Sequence, residues 1–191
     1  MNKVLFINNN DSFVYIIVDY FLQNGCNVIV VNNEITLQEV EEIKPDRIVI
    51  SPGPGHPKKD TGNVIPIMQK YYKRIPIFGV CLGLQAIVQM MGGEVKKAQV
   101  GPIHGELSQI HHDAKTIFKD LPTPFKATRY HSLAANEETF PNSLEISAKA
   151  EDGTIMAVRH KKFTVEGVQF HPESILTVPH GMKIIQNFLL L

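Results

Sequence analysis

The first half of the chain alternates short apolar runs with segments whose apolar residues recur every three or four positions. The runs predict strands, and the spaced segments predict helices. Strands are expected at 3–8, 26–31, 46–51 and 75–80, and helices at about 13–24, 34–43, 63–73 and 84–91. Strands that alternate with helices favour right-handed βαβ units and an α/β fold, with a mostly parallel open sheet covered by helices on both faces.

The first predicted helix follows a break in the chain at residues 9–12. Asp11 or Ser12 is expected to cap it, because short polar side chains accept hydrogen bonds from the free amides of a first helical turn. Its expected apolar face consists of Phe13, Ile16, Ile17, Tyr20 and Phe21.

The second half of the chain has a different pattern from Glu94 onward. Short alternating segments separated by turn residues are typical of antiparallel strands. These segments are EVKKAQVG, GELSQIHH, KTIFKDL, FKATRYHSL, LEISAKA, TIMAVRH and FTVEGVQF, and a last helix is expected at about 181–191. Because no repeat, low-complexity tract or linker interrupts the pattern, we expect residues 1–191 to form one domain, with a small antiparallel β section in its second half.

The composition mainly argues against certain partners and sites. Lys plus Arg and Asp plus Glu number 19 each, so the charge balance indicates neither a nucleic acid nor a membrane surface as a partner. The eight histidines do not cluster at metal-ligand spacing, and the two cysteines give no disulfide framework. With no apolar span of 18 residues, we expect a soluble, cytoplasmic protein.

The stretch GVCLG, with Cys81 at its centre, lies between a predicted strand and a predicted helix. Gly-x-Cys-x-Gly in this position is the nucleophile-elbow pattern with cysteine in place of serine. The glycines are expected because such a turn needs either positive φ or an approach too close for a Cβ atom. The helix N-terminus would favour the thiolate, which is the reactive form. The alternative is a small buried hydrophobe, which describes most free cysteines.

A base for this nucleophile is predicted at His171. An apolar strand at 165–170 leads directly to it, and Glu173 is two residues further on. Residues two apart in an extended segment project to the same side, so the carboxylate can orient one ring nitrogen while the other faces the sulfur. Segments 9–12, 51–57 and Cys81 each follow a strand of the parallel sheet, so we expect them to be neighbours at its carboxyl edge.

Three motifs taken together, SPGPGHP, GVCLGLQAI and GVQFHPES, strongly resemble the class I (triad) glutamine amidotransferases. The similarity runs over essentially the whole chain and implies a flavodoxin-like fold and glutamine hydrolysis. Within the family, NNNDSFVY, IHGELSQIHHD and ATRYHSL are most similar to glutaminase subunits of anthranilate synthase, with those of aminodeoxychorismate synthase as the close sibling group.

The resemblance implies a role for each residue that matches a family motif. Cys81 would be the nucleophile, His171 the base and Glu173 its orienting acid. The backbone amides of Gly53 and Leu82 would form the oxyanion hole. Further implied residues are the glutamine-binding set Gly53, Pro54, Gly55, Gln85, Ser132 and Leu133, and a partner-facing loop of Asn10, Asp11, Ser12 and Phe13. No metal or cofactor is expected.

Two residues depart from the family pattern. Leu84 stands where histidine is common, beside the pocket, and Asn10 stands where an aromatic residue is common, in the partner-facing loop. Some individual matches also have simpler explanations. Gln85 could face solvent one helical turn after Cys81, and RYHSL could be a surface strand with a solvated His131.

The implied partners are L-glutamine and a chorismate-binding component I subunit of anthranilate synthase, which would receive the ammonia in a heteromer. Three alternatives stay open at this point. The chain could serve an aminodeoxychorismate synthase, it could be a thiol peptidase or γ-glutamyl hydrolase, or it could be a flavodoxin-like binding protein without catalysis.

Overall fold

The computed structural model describes residues 2–191. Its strands are Lys3–Asn8 (β1), Asn27–Asn32 (β2), Arg47–Ile50 (β3), Ile77–Val80 (β4), Val95–Lys97 (β5), Ile103–His112 (β6), Phe125–His131 (β7), Leu133–Ala135 (β8), Leu144–Ala150 (β9), Ile155–His160 (β10) and Val165–Val168 (β11). Its α-helices are Val14–Gln23 (α1), Leu37–Ile43 (α2), Val64–Tyr71 (α3), Leu82–Met90 (α4) and His180–Leu189 (α5). None of the helices in this part of the chain has the length and apolar content that crossing a bilayer would need.

A nine-stranded sheet in the order β2-β1-β3-β4-β11-β10-β9-β6-β7 forms the centre of the fold. The first five strands of this order run parallel to one another, which was predicted for β1, β2, β3 and β4 but not for β11. The remaining pairs are antiparallel and continue the same sheet, while β5 and β8 form a separate antiparallel pair. The α/β prediction is confirmed, and the antiparallel section extends the main sheet.

Strand β11 joins the two parts of the sheet. It pairs in parallel with β4 on one side and antiparallel with β10 on the other, and Val168 is level with Val80. The residues after both strands therefore emerge side by side at the carboxyl edge of the sheet. The expectation that FTVEGVQF pairs only in an antiparallel manner is wrong, and KTIFKDL contains a 3₁₀ turn at Thr116–Phe118 where a strand was expected.

Helices cover both faces of the parallel strands. On one face α1 and α5 pack through Ile17 and Phe188 against Phe78, and on the other α2, α3 and α4 pack against the opposite side of the sheet. Strand β4 is buried along its whole length, as expected for a strand with both faces covered.

The buried face of α1 differs from the prediction by one position at its start. Val14, Ile17 and Phe21 are buried, whereas Phe13 is 67% exposed and Ile16 44%. The cause is the turn before the helix, where the Asp11 carboxylate accepts a hydrogen bond from the amide of Phe13 at 2.6 Å. The helix then begins at Val14, without a side-chain cap from Asp11 or Ser12.

Helix α2 begins three residues later than predicted. Thr36 and Glu39 form a capping box, in which the Glu39 amide donates to the Thr36 hydroxyl at 3.2 Å and the Thr36 amide donates to the Glu39 carboxylate at 2.8 Å. This reciprocal pair fixes the helix start at Leu37.

Candidate active site

Cys81 occupies a strained turn between β4 and α4. Its backbone has φ 52° and ψ −101°, a region that residues with a Cβ atom rarely adopt. Its amide donates to the Val168 carbonyl at 2.7 Å, and its carbonyl accepts from the Gln85 amide at 3.1 Å. The turn is thus held by the neighbouring strand on one side and by the first turn of the helix on the other.

The glycines that flank Cys81 are needed for close approach. A Cβ atom on Gly79 would lie 2.5 Å from the carbonyl carbon of Gly83, and one on Gly83 would lie 2.5 Å from the carbonyl oxygen of Ile50. Of the two reasons for glycine considered in the sequence, close approach applies here. The positive φ angle belongs to Cys81 itself.

His171 is held beside this turn by backbone and side-chain contacts. Its amide donates to the Thr128 carbonyl on β7 at 2.9 Å, and its carbonyl accepts from the Thr177 hydroxyl at 2.9 Å. The ring Nδ1 hydrogen-bonds the Glu173 carboxylate at 2.5 Å. The other ring nitrogen, Nε2, is buried and has no hydrogen-bond partner among residues 2–191.

The surroundings of His171 favour its protonated form. Burial disfavours the charged ring, but the neighbouring Cys81 and Glu173 side chains outweigh burial and raise the pKa of His171 well above its usual 6.5. Nε2 has no hydrogen bond to the sulfur among residues 2–191, and in many resting active sites such a bond forms only when substrate is bound. A ring whose charged form is stabilised in this way can take the proton of the thiol and hold it for a leaving group.

A cavity of about 280 Å³ opens at this edge of the sheet, and Cys81 and His171 line it. Its volume is near the lower end for small-molecule sites, which suits a ligand of amino-acid size. The six predicted glutamine-binding residues all lie in its wall: Gly53, Pro54, Gly55, Gln85, Ser132 and Leu133. Asp11 also lines it, so the three strand-following segments meet here. Glu173 and Leu82 stand outside the lining, behind His171 and at the start of α4.

Gln85 is buried and connects two walls of the cavity. Its Nε2 donates to the Leu133 carbonyl and to the Gln169 side-chain oxygen, both at 3.1 Å. The alternative that Gln85 faces solvent is wrong. So is the alternative of a solvated His131, which is 5% exposed.

The loop that contains Gly53 packs against the turn at Cys81 and Leu82. A Cβ atom on Gly53 would be 2.4 Å from the Asn9 carbonyl oxygen and 3.1 Å from Leu82 Cδ2, so only glycine allows this approach. Among residues 2–191, the amides of Gly53 and Leu82 donate no backbone–backbone hydrogen bond outside regular helices and strands. Both amides therefore have capacity to donate to a ligand.

The predicted partner-facing loop is exposed next to the cavity. Asn10 has φ 61°, and the Asp11 amide donates to the Asn8 side chain at 2.9 Å. Phe13 is exposed, and Tyr15 on the first turn of α1 is 65% exposed. Large apolar side chains are thus presented to solvent beside the site.

Three contributors to the site were not predicted. Gln169 contacts the Cys81 sulfur, and a pair on β7, Arg129 and His131, supports the cavity wall. His131 Nδ1 donates to the Leu133 carbonyl at 2.9 Å, and its Nε2 accepts from Arg129 Nε at 3.2 Å. Burial, followed by the charge of Arg129, lowers the pKa of His131 to about 4, so the ring is neutral. The sequence feature that could have indicated these contributors is a polar residue in a strand segment that is otherwise buried.

No group of three or more His, Cys, Asp or Glu side chains in residues 2–191 is arranged to bind a metal ion.

Comparison with known proteins gives a consistent family match. The family described as glutamine amidotransferase class-I matches residues 5–191. Anthranilate synthase component 2 of Methanocaldococcus jannaschii is 52% identical over 196 residues, which cover 98% of this chain and 96% of that protein. Aminodeoxychorismate/anthranilate synthase component 2 of Bacillus subtilis is 46% identical over 187 residues, covering 97% and 95%.

Two further similarities concern extent and fold. A multifunctional tryptophan biosynthesis protein of Pichia angusta is 50% identical over 189 residues, which cover 98% of this chain but 51% of that protein, so the chain spans about half of its length. The crystal structure of a glutamine amidotransferase from Thermotoga maritima has a TM-score of 0.76 at 15% identity, covering 98% of this chain and 96% of that one. This second likeness concerns the fold alone.

Proposed function

The chain belongs to the class I glutamine amidotransferase family, and we propose from this premise that it is the glutaminase subunit of an anthranilate synthase. In this proposal it hydrolyses L-glutamine and delivers the ammonia to a partner subunit that aminates chorismate. The observation that carries the proposal is the buried Nε2 of His171, which has no hydrogen-bond partner in the described residues 2–191 and belongs to a residue that lines an amino-acid-sized cavity together with Cys81.

The first half-reaction forms a thioester. Nε2 of His171 takes the proton of the Cys81 thiol, and the sulfur attacks the side-chain carboxamide carbon of glutamine. The Nδ1–carboxylate bond to Glu173 orients the ring and stabilises its charge. The amides of Gly53 and Leu82 donate to the oxygen that becomes negative. The imidazolium then protonates the nitrogen, and ammonia leaves.

The second half-reaction releases glutamate. Water attacks the thioester carbonyl while His171 accepts one of its protons, and the C–S bond breaks with its electron pair returning to sulfur. Proton transfer from His171 restores the thiol. The peptide segment Ser132–Leu133 and the side chain of Gln85, which line the same cavity, would hold the substrate's other groups.

The partner is proposed to dock over the mouth of the cavity. Phe13 and Tyr15 are exposed and follow Asp11, which lines the cavity. Ile175 and Leu176 are 84% and 54% exposed and follow His171, which also lines it. Exposed apolar side chains close in sequence to the lining of a site indicate a protein interface. A chorismate-binding component I subunit is the proposed occupant. Such a reaction belongs in the cytoplasm, where a nucleophilic thiol stays reduced.

The experiment mixes the purified chain, in separate reactions, with an anthranilate synthase component I and with the synthase subunit of an aminodeoxychorismate synthase. Each receives chorismate and glutamine, and the two aminated products are measured. Glutamine-dependent anthranilate in the first mixture supports the proposal. Aminodeoxychorismate alone would assign the chain to the sibling enzyme. Full glutamine hydrolysis by the isolated chain, unchanged by either synthase, would refute a subunit role.

A pair of variants tests the docking surface. Phe13→Asp places a charge in the proposed interface, so it should weaken synthase binding. Leu22→Asp is the matched control, because Leu22 is also an exposed apolar residue, at 50%, but lies in the last turn of α1, about 13 Å further along the helix axis. Calorimetric titration of the synthase should show weaker binding for the first variant and unchanged binding for the second. Equal effects would place the interface elsewhere.

A further inference from the structure

Gln169 is a completely buried glutamine whose side chain contacts the reacting sulfur. It follows β11 directly, and its amide donates to the Met156 carbonyl at 2.8 Å. Its Nε2 donates to Cys81 Sγ at 3.3 Å. The sulfur's other polar neighbour on this side is the Tyr130 carbonyl oxygen, at 3.8 Å. A buried amide is retained only where its hydrogen bonds are made, and here one of them is to the nucleophile.

The orientation of the Gln169 amide follows from its neighbours. The Leu133 carbonyl can only accept, so the Gln85 atom that contacts it must be the nitrogen. The same nitrogen contacts the Gln169 side chain, whose near atom must therefore be its oxygen. The remaining atom of the Gln169 amide is the nitrogen, and it faces the sulfur.

We propose that Gln169 is a catalytic residue, which donates a hydrogen bond to the Cys81 sulfur and stabilises its thiolate form. This inference rests on the proposed glutaminase function. A hydrogen bond to the charged form of a group favours that form, and bonds to ionised acceptors are about twice as strong as neutral ones. Gln169 stays neutral and transfers no proton, because the proton of the thiol goes to His171.

The donor acts at two points of the reaction. It stabilises the thiolate formed before attack on the carboxamide, and it stabilises the same thiolate when the C–S bond of the second tetrahedral intermediate breaks. The bonded chain from Leu133 through Gln85 to Gln169 ends at the sulfur. The wall proposed to hold glutamine therefore also fixes the position of this donor.

The charged and titratable groups around the sulfur come from several elements. Asp11 follows β1, His104 lies on β6, Tyr130 and His131 lie on β7, and His171 follows β11; all five line the cavity. Each of them stays in place when Gln169 alone is replaced. A change in thiol titration on that replacement would therefore report the lost amide donor.

The experiment compares Gln169→Met with Gln85→Met. Methionine preserves length and volume but cannot donate to sulfur. Iodoacetamide labelling of Cys81, followed by mass spectrometry from pH 5 to 10, gives the apparent pKa of the thiol and separates it from Cys26. Gln169→Met should move the pH midpoint of Cys81 labelling upward and lower kcat by about 10- to 100-fold. Gln85→Met keeps the donor but removes the bond that orients it, so it should raise KM for glutamine and shift the pH midpoint of labelling less than Gln169→Met does.

A folded Gln169→Met protein with the wild-type labelling profile would overturn the inference. If that variant does not fold, nitrogen-15 NMR of the wild-type chain decides. The side-chain amide signal of Gln169 should shift with the titration of the Cys81 thiol and lose that shift after alkylation, and an amide signal insensitive to both would also overturn it. Labelling needs no glutaminase activity. The two proposals can fail separately. If the wild-type chain does not hydrolyse glutamine with either synthase, but Gln169→Met still changes the pH dependence of Cys81 labelling, the proposed function is rejected and this inference stands.

Discussion

Replacing Glu173 with glutamine tests how the buried carboxylate acts on His171. Glutamine has nearly the same shape, so the packing around this 6% exposed side chain should be preserved. The change removes the negative charge that lies 2.5 Å from Nδ1. It also allows the amide nitrogen of the new side chain to face the ring, which would favour the wrong tautomer.

The magnitude follows from the kind of bond that is lost. A hydrogen bond to a charged group contributes about 1.5–3 kcal/mol. If the bond is fully used when the ring becomes charged in the transition state, kcat should fall by roughly 10- to 150-fold. A contribution from the wrong tautomer would increase this loss.

The effect on stability has a defined pH dependence. The carboxylate helps raise the pKa of His171 above its unfolded value of about 6.5. The stability gained from this shift is complete below pH 6.5 and is lost as the pH rises through the folded-state pKa. Glu173→Gln should therefore reduce the free energy of unfolding most near pH 6, and the difference from wild type should shrink at alkaline pH.

A matched control is Glu166→Gln. Glu166 is also a buried glutamate with one oxygen bonded to a basic side chain, Arg159 at 2.9 Å, and one oxygen without a partner among residues 2–191. It lies outside the cavity lining. Glutaminase rates with the synthase present should fall for Glu173→Gln and stay within about twofold of wild type for Glu166→Gln. Equal rates for all three proteins would refute the role assigned to Glu173.

Two further replacements test the supports of the site. His131→Gln should remove a pH dependence of the free energy of unfolding. A ring with a folded pKa of about 4 makes the wild-type fold less stable as the pH falls below 6.5, by on the order of 2 kcal/mol at pH 5. Urea unfolding midpoints at pH 7 and pH 5 measure this loss, and an equal loss in both proteins would contradict it. Gly181→Ala would place a Cβ atom 1.7 Å from the Pro172 carbonyl oxygen, so the loop carrying His171 must move; kcat should fall by about 100-fold, and wild-type kcat would show that the loop adapts.

Local sequence patterns were sufficient to predict the strand-to-helix turn at Cys81 and the pairing of His171 with Glu173. Each depends on a few adjacent residues whose periodicity or spacing is visible in the chain. The same holds for the parallel strands, whose apolar runs reflect burial on both faces. The start of α1 was misplaced because the Asp11 turn delays the helix by one residue, which shifts the buried stripe.

The role of Gln169 could not be predicted, because it depends on a contact between residues 88 positions apart. That contact exists because β11 is inserted between β4 and β10, and the pairing of strands is decided by tertiary packing rather than by local pattern. Arg129 is a similar case. Its buried side chain is explained by its partners His131 and Asp152, the second of which belongs to a turn between β9 and β10.

The most direct measurement of the central claim uses Cys81→Ser in complex with an anthranilate synthase component I. Two nitrogen sources are compared, glutamine and ammonium, with anthranilate as the readout. If Cys81 is the nucleophile that releases ammonia for the partner, glutamine-dependent synthesis should fall to background while ammonium-dependent synthesis stays at the wild-type rate. Glutamine-dependent synthesis that survives the replacement would contradict the account.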